Sequence, residues 1–310
     1  MKVLVTGEGI IDFFPLNECK AVKFLARPGG SPLNVAVGLS RLGVETGFLG
    51  KFSRDYFGKF LVTYLLENGV DVRFITRGDE PTALAFVQLE EGNPRFSFYL
   101  HGTATIKLTI EELPKRLPNS IAALHFGSLA MVQEPCATAL ARLMERESPM
   151  RLISFDPNIR PECITDASSY RLKFIQLLTM IDLLKLSQED LSYIAPKETK
   201  EAVIEKWLAQ GPKLIVVTLG PAGARAYTRY TVIEVKAQPV KVVDTVGAGD
   251  AFTAGLLAAL SQLRRLDKKA IEKISQDELH RALNFAARVA ALTCTRVGAD
   301  PPRISEIGEI

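Results

Sequence analysis

The chain has 310 residues, 47% of them apolar and 24% charged, and its 38 Lys and Arg against 35 Asp and Glu leave a formal charge of only +3. These proportions describe a globular protein with a sizeable core, and without a block of five like charges the basic footprint of a nucleic-acid or polybasic membrane binder is missing. No apolar stretch approaches the ~18 residues of a membrane span, and Val3-Leu4-Val5 runs into polar Thr6-Gly7-Glu8 too soon for a signal segment. Cys19, Cys136, Cys163 and Cys294 form no C-x-x-C pair, and His101, His125 and His280 lack zinc spacing. A reducing, cytoplasmic setting with no nucleic-acid or membrane partner is expected.

Along the chain, short runs rich in branched aliphatics (residues 3–5, 121–126, 152–155, 183–186, 214–218 and 241–243) alternate with segments of helical length. This pattern predicts an α/β fold, a largely parallel sheet with helices on both faces. Ligands of such sheets bind beyond the carboxyl ends of the strands. One region breaks the rhythm. Residues 83–89 and 95–100 alternate around Glu90-Glu91-Gly92-Asn93, which predicts a β-hairpin, and residues 11–16 and 21–26 form a second pair around Asn17-Glu18-Cys19-Lys20. A small strand-built appendage follows, made from two separated stretches of chain.

Two helix starts are written clearly. Ser31-Pro32 reads as an N-cap and a first-turn proline after Gly29-Gly30, and Gly43 closes that helix. The second is Gly247-Ala248-Gly249-Asp250, after the expected strand 241–243 and Asp244-Thr245. Small residues there let backbone N–H groups converge at the positive end of a helix, an anion hole in outline. An aspartate at its mouth would repel a phosphate, so Asp250 makes sense as the acceptor of a proton from an attacking hydroxyl; the plainer alternative is a helix cap. Other motifs fail. Gly50-Lys51 has Glu45 and Phe52 where a Walker A loop needs Gly and Ser or Thr, Gly7-Glu8-Gly9-Ile10-Ile11-Asp12 lacks the third Rossmann glycine, and Gly127-Ser128 lacks the flanks of a hydrolase elbow.

Gly29-Gly30-Ser31-Pro32-Leu33-Asn34-Val35-Ala36, continuing through Gly43 to Gly58, together with residues 244–255, resembles the two signature regions of the ribokinase-like (PfkB) carbohydrate kinases. The similarity runs from the first strand to Pro301. Gly7-Glu8-Gly9-Ile10-Ile11-Asp12-Phe13, Asp156-Pro157-Asn158-Ile159-Arg160 and Lys185-Leu186-Ser187 most resemble fructokinases. The resemblance implies a three-layer αβα core with a mostly parallel sheet (residues 1–10, 28–82 and 104–310) and a small β-strand lid (11–27 and 83–103).

It further implies ATP-dependent transfer of the γ-phosphoryl group to a primary hydroxyl of a neutral sugar, fructose first among them. Asp250 then matches the catalytic base, and Gly247, Ala248 and Gly249 the anion hole. Asp12, set at the end of the first strand, and Gly29, Gly30, Asn34, Asn158, Arg160 and Thr103 fall at sugar or phosphate positions. Lys185, Ser187, Thr218, Gly220, Gly223 and Asn284 fall at nucleotide positions. Mg²⁺ is expected on the ATP phosphates, with Asp190, Glu189 and Asp244 as candidate metal residues, and K⁺ near Asp244 and residues 297–299. Relatives commonly form a homodimer through the lid strands.

The chain also departs from the family pattern. Its N-x-x-E motif reads Ser187-Gln188-Glu189-Asp190, so either Asp190 works through an extra water or Glu189 substitutes. Leu100 stands where 2-keto-3-deoxygluconate kinases and many fructokinases have Arg, and Thr105 where fructokinases have Asp. Lack of a guanidinium at position 100 speaks against an acid sugar. Three alternatives stay open: a 2-keto-3-deoxygluconate kinase, a nucleoside kinase stacking its base on Phe96 or Phe98, and a catalytically silent sugar-binding regulator.

Overall fold

The computed structural model describes residues 2–16, 23–90 and 93–310. Its first strand, β1 (Val3–Thr6), is wholly buried and stops at Gly7. A Cβ on Gly7 would stand 2.4 Å from Pro32, and one on Gly9 2.7 Å from Phe52, so only glycines fit this tight exit. The chain then leaves the main sheet and restarts as β2 (Ile10–Leu16), paired antiparallel with β3 (Lys23–Gly29). The connecting turn of this expected hairpin lies outside the described residues. Next come α1 (Ser31–Arg41), β4 (Thr46–Ser53), α2 (Tyr56–Glu67) and β5 (Asp71–Gly78). The second expected hairpin is β6 (Leu84–Glu90) and β7 (Asn93–Tyr99).

The remainder alternates strand and helix: β8 (Ala123–Gly127), α3 (Cys136–Glu147), β9 (Leu152–Asp156), α4 (Ala167–Leu178), β10 (Leu183–Ser187), α5 (Gln188–Ile194), α6 (Lys200–Gln210) and β11 (Leu214–Thr218). A meander of β12 (Ala224–Tyr227) and β13 (Val232–Val235) precedes α7 (Ala248–Gln262) and α8 (Gln276–Thr293).

Among the described residues the strands form two sheets. The larger runs β13-β12-β11-β10-β9-β8-β1-β4-β5, parallel from β11 to β5 with an antiparallel edge at β12 and β13. Period-two alternation sends Val3 and Val5 into a core with α1, α2, α7 and α8, and Leu4 into a second core with α3 to α6. The result is the expected three-layer ribokinase-like α/β architecture. The smaller sheet runs β3-β2-β6-β7, with β2 and β6 parallel. Since β1 lies between β4 and β8, the strand order reverses there, and that reversal opens a crevice beyond the carboxyl ends of the strands. No helix among the described residues is long and apolar enough to cross a membrane.

Two local expectations need correction. Residues 241–243 are not a strand: Val242 and Val243 are more than half exposed, and the amides of Val243 and Asp244 both donate to the Cys294 carbonyl, at 2.8 and 3.2 Å. Asp12 does not end the first strand but is the third residue of β2, because the glycines after Thr6 have already ended β1.

Candidate active site

A cleft opens at the strand-order reversal. Glu8 and Ser128 reach it from the turns after β1 and β8, and Asn158 and Arg160 from the turn after β9. Gly30, Ser31 and Asn34 come from the start of α1, and Gly247, Gly249 and Asp250 from the start of α7. Asp12 of β2 and Phe96 and Phe98 of β7 complete the wall from the smaller sheet.

The α7 entrance is built around Gly247, at φ 77°, where a Cβ would stand 2.5 Å from the Ala299 side chain. Asp244 braces the turn, accepting from the Val246 amide at 3.0 Å and the Gly298 amide at 2.7 Å. Asp250 is the third residue of α7 and caps nothing. Its Oδ1 accepts from the Ser31 hydroxyl at 2.7 Å, and its Oδ2 from the Asn34 amide at 2.8 Å. Ser31 is therefore not the α1 cap expected from sequence; Gly30, at φ 100°, takes that position and frees the hydroxyl for Asp250. Asn158, in the left-handed region at φ 39°, donates to Asp250 at 3.4 Å and accepts from Arg160 at 2.8 Å. Burial raises the Asp250 carboxyl above its usual range, against the pull of the Asn34 and Ser31 bonds, and so makes it a stronger base.

Asp12 lies on the part of the cleft wall that the smaller sheet supplies. Burial and the nearby Asp250 charge push it up to about 7, against the pull of Arg160. A Cβ on Gly29 would fall 2.1 Å from its carboxylate, which accounts for glycine there. Among the described residues, one carboxylate oxygen of Asp12 and one of Glu8 are buried without a hydrogen-bond partner.

Farther along the strand ends the polar groups are engaged internally, apart from one buried oxygen of Asp156. Lys185 pairs with Asp156 at 2.8 Å, and Thr253 of α7 donates to the same Asp156 oxygen at 3.1 Å. Burial alone would lower the Lys185 pKa, but Asp156 reverses this and holds the ammonium charged beside Gly249. Ser187 and Asp190 form a reciprocal capping box on α5, and the other Asp190 oxygen accepts from the Ile159 amide at 2.8 Å. Glu189 is exposed. Ser187 and Thr218 are neighbours in register, and Gly220 and Gly223 turn the chain from β11 into β12. Asn284 donates to the His280 carbonyl on α8 and does not line the cleft. Thr103 does not line it either, because its hydroxyl turns back to the Leu100 carbonyl at 2.6 Å.

Three participants escaped the sequence reading: Ser31 as a partner of Asp250, Asp156 beneath Lys185, and Glu8. The signal available for Glu8 and Asp156 was their position, polar residues at or just beyond the carboxyl ends of strands.

Residues 1–306 match the model of the pfkB family carbohydrate kinases. The chain belongs to that family. This sugar kinase is 36% identical over 278 residues to the fructokinase of Rhizobium leguminosarum bv. trifolii, covering 89% of this chain and 85% of that protein. A fructokinase of Xylella fastidiosa with bound ATP superposes with a TM-score of 0.92 at 32% identity, over 99% of this kinase and 96% of the other chain. The fructokinase of Vibrio cholerae O395, in a double-mutant form with fructose, ADP and potassium ion, superposes with a TM-score of 0.84 at 28% identity, over 96% and 93% of the two chains.

Proposed function

We propose that the kinase transfers the γ-phosphoryl group of ATP to a primary hydroxyl of fructose. The carrying observation is the place of Asp250, fixed by Ser31 and Asn34 where the glycine turn of α7 meets the wall that holds Asp12. In this reading the hydroxyl proton passes to Asp250 as the sugar oxygen bonds to the γ-phosphorus, and the bond to the bridging oxygen breaks to release ADP. The Gly247, Ala248 and Gly249 amides and the charged Lys185 take up charge on the phosphoryl oxygens. Asp12 orders the sugar with Gly29, Gly30, Asn34 and Arg160, while Ser187, Thr218, Gly220, Gly223 and Asn284 face the nucleotide.

Among the described residues no three His, Cys, Asp or Glu side chains converge as metal ligands. The acids fit Mg²⁺ that arrives on the nucleotide phosphates: Asp156 keeps a buried, unpartnered oxygen, and Asp190 is fixed at the same strand ends. Mg²⁺ would neutralise phosphate charge. Potassium fits less well, since each Asp244 oxygen takes an amide and the Val297 carbonyl takes Arg27 at 2.7 Å.

The described residues of 11–27 and 83–103 serve as the lid, with Phe96 and Phe98 shielding the reacting groups from water. The exposed Phe24, Leu25 and Tyr99 on the smaller sheet support a homodimer contact there, and the cytoplasm suits an enzyme that uses ATP. A panel of neutral ketoses, sugar acids and nucleosides with ATP tests the assignment. Fructose should give the highest kcat/KM; preference for a sugar acid or a nucleoside would overturn it.

A further inference from the structure

Glu8 is 1% exposed, sits in the turn where β1 ends and contributes to the cleft wall. Its two carboxylate oxygens have different surroundings. Oε2 accepts from the Ala130 amide at 3.0 Å, which ties Glu8 to the turn after β8, where Gly127 (φ 155°) and Ser128 (φ 60°) both take positive φ. Oε1 has no hydrogen-bond partner. Burial raises the Glu8 carboxyl, against the pull of Ser128 and the surrounding amides. An acceptor buried without a partner loses the hydration it would have in water, so such groups in native proteins call for an explanation. A bare brace for the β8 turn needs only one oxygen. Glu8 lines the same wall as Asp12, whose Oδ1 is likewise without a partner.

We propose that Glu8 is a specificity-determining residue for the sugar, with Oε2 anchored on Ala130 and Oε1 accepting a hydrogen bond from a hydroxyl other than the one phosphorylated. This goes beyond the sugar-kinase reading and rests on it. The cleft then presents Glu8, Asp12 and Asp250 to the substrate, with Arg160 as the cation among the lining residues. Such a wall accepts from a neutral polyol and repels a carboxylated sugar. Removing the matching hydroxyl from the sugar should cost as much as removing Glu8, and removing both should cost little more than either alone.

The test measures kcat and KM for fructose and its monodeoxy analogues with the wild-type kinase, Glu8→Gln and Glu8→Met. Gln retains an oxygen for the Ala130 amide, whereas Met keeps the chain length and removes both acceptors. Both variants should raise the fructose KM about tenfold or more, the scale of a lost hydrogen bond to a charged group, and leave the ATP KM within about twofold. One deoxy analogue, with a KM already about tenfold higher in the wild-type kinase, should show no further increase in either variant. Equal losses for fructose and every analogue, or none for fructose, would overturn the placement. A variant that fails to fold leaves the wild-type series as the readout, and equal KM values across that series would also overturn it. Wild-type turnover of no neutral sugar would instead remove the reading on which the placement rests.

Discussion

On the β1 side of the cleft, Glu8 and Asp12 each keep a buried carboxylate oxygen without a partner, whereas on the β10 side both oxygens of Asp190 accept backbone amides and Asp156, which also keeps one open oxygen, has its other paired with the Lys185 ammonium. The first arrangement costs stability in the free protein, because buried acceptors have exchanged water for nothing. The second contributes to stability by satisfying the first turn of α5. The contrast fits the ligands proposed for the two sides. A sugar brings hydroxyl donors that complete open acceptors, whereas nucleotide phosphates bring negative charge and are better met by backbone donors and Lys185. Between the two sides stands Asp250, fully hydrogen-bonded yet raised in pKa.

Short of removing the base itself, the largest expected effect lies at the glycine turn. Gly247→Ala places a Cβ at φ 77° and 2.5 Å from Ala299, so the turn must shift and misalign its amides. We expect kcat to fall about 10²-fold, the scale of one lost oxyanion donor, with the circular dichroism spectrum retained. Near-normal turnover would separate the turn from the chemistry.

Next, Asp12→Asn should raise the sugar KM about tenfold or more and spare the ATP KM, as loss of a charged acceptor would. It should also stabilise the free protein at pH 8. The fold lifts Asp12 from an ordinary 3.8 to about 7, so ionising it costs stability progressively across that interval and fully above it. Asn removes that cost. A thermal melt that is lower at pH 8 than for the wild type would contradict an uncompensated acceptor at this site. For the same reason, the wild-type sugar KM should rise as the pH falls below about 7.

The smallest effect belongs to the β10 side. Asp190→Ala removes one half of the α5 capping box and the Ile159 anchor, with an expected loss of about 1–2 kcal/mol in denaturant titration. Unchanged stability would break the contrast from the other direction.

Much of this was legible in sequence where the local chemistry is one-sided. Gly43 and the glycines at 247–249 have few alternative uses, and β-branched runs between helical segments mark buried strands when core surrounds them. Residues 241–243 carry the same β-branched signal on the surface, and only the Cys294 carbonyl, distant in sequence, decides their backbone. Ser31 before Pro32 satisfies every local rule for a cap, but Asp250, 219 residues later, claims its hydroxyl. Asp12 belongs to β2 and not to the end of β1, because the crowding that requires Gly7 and Gly9 comes from Pro32 and Phe52 in the fold. Thr103 matched a family position while its hydroxyl serves its own turn.

The most direct test of the account is the steady-state kinetics of Asp250→Asn with fructose and ATP. The substitution keeps size and most hydrogen-bonding capacity and removes the base. The account predicts that kcat falls about 10²-fold or more, while both KM values stay within a few-fold. A kcat near that of the wild type, or a loss confined to KM, would contradict it.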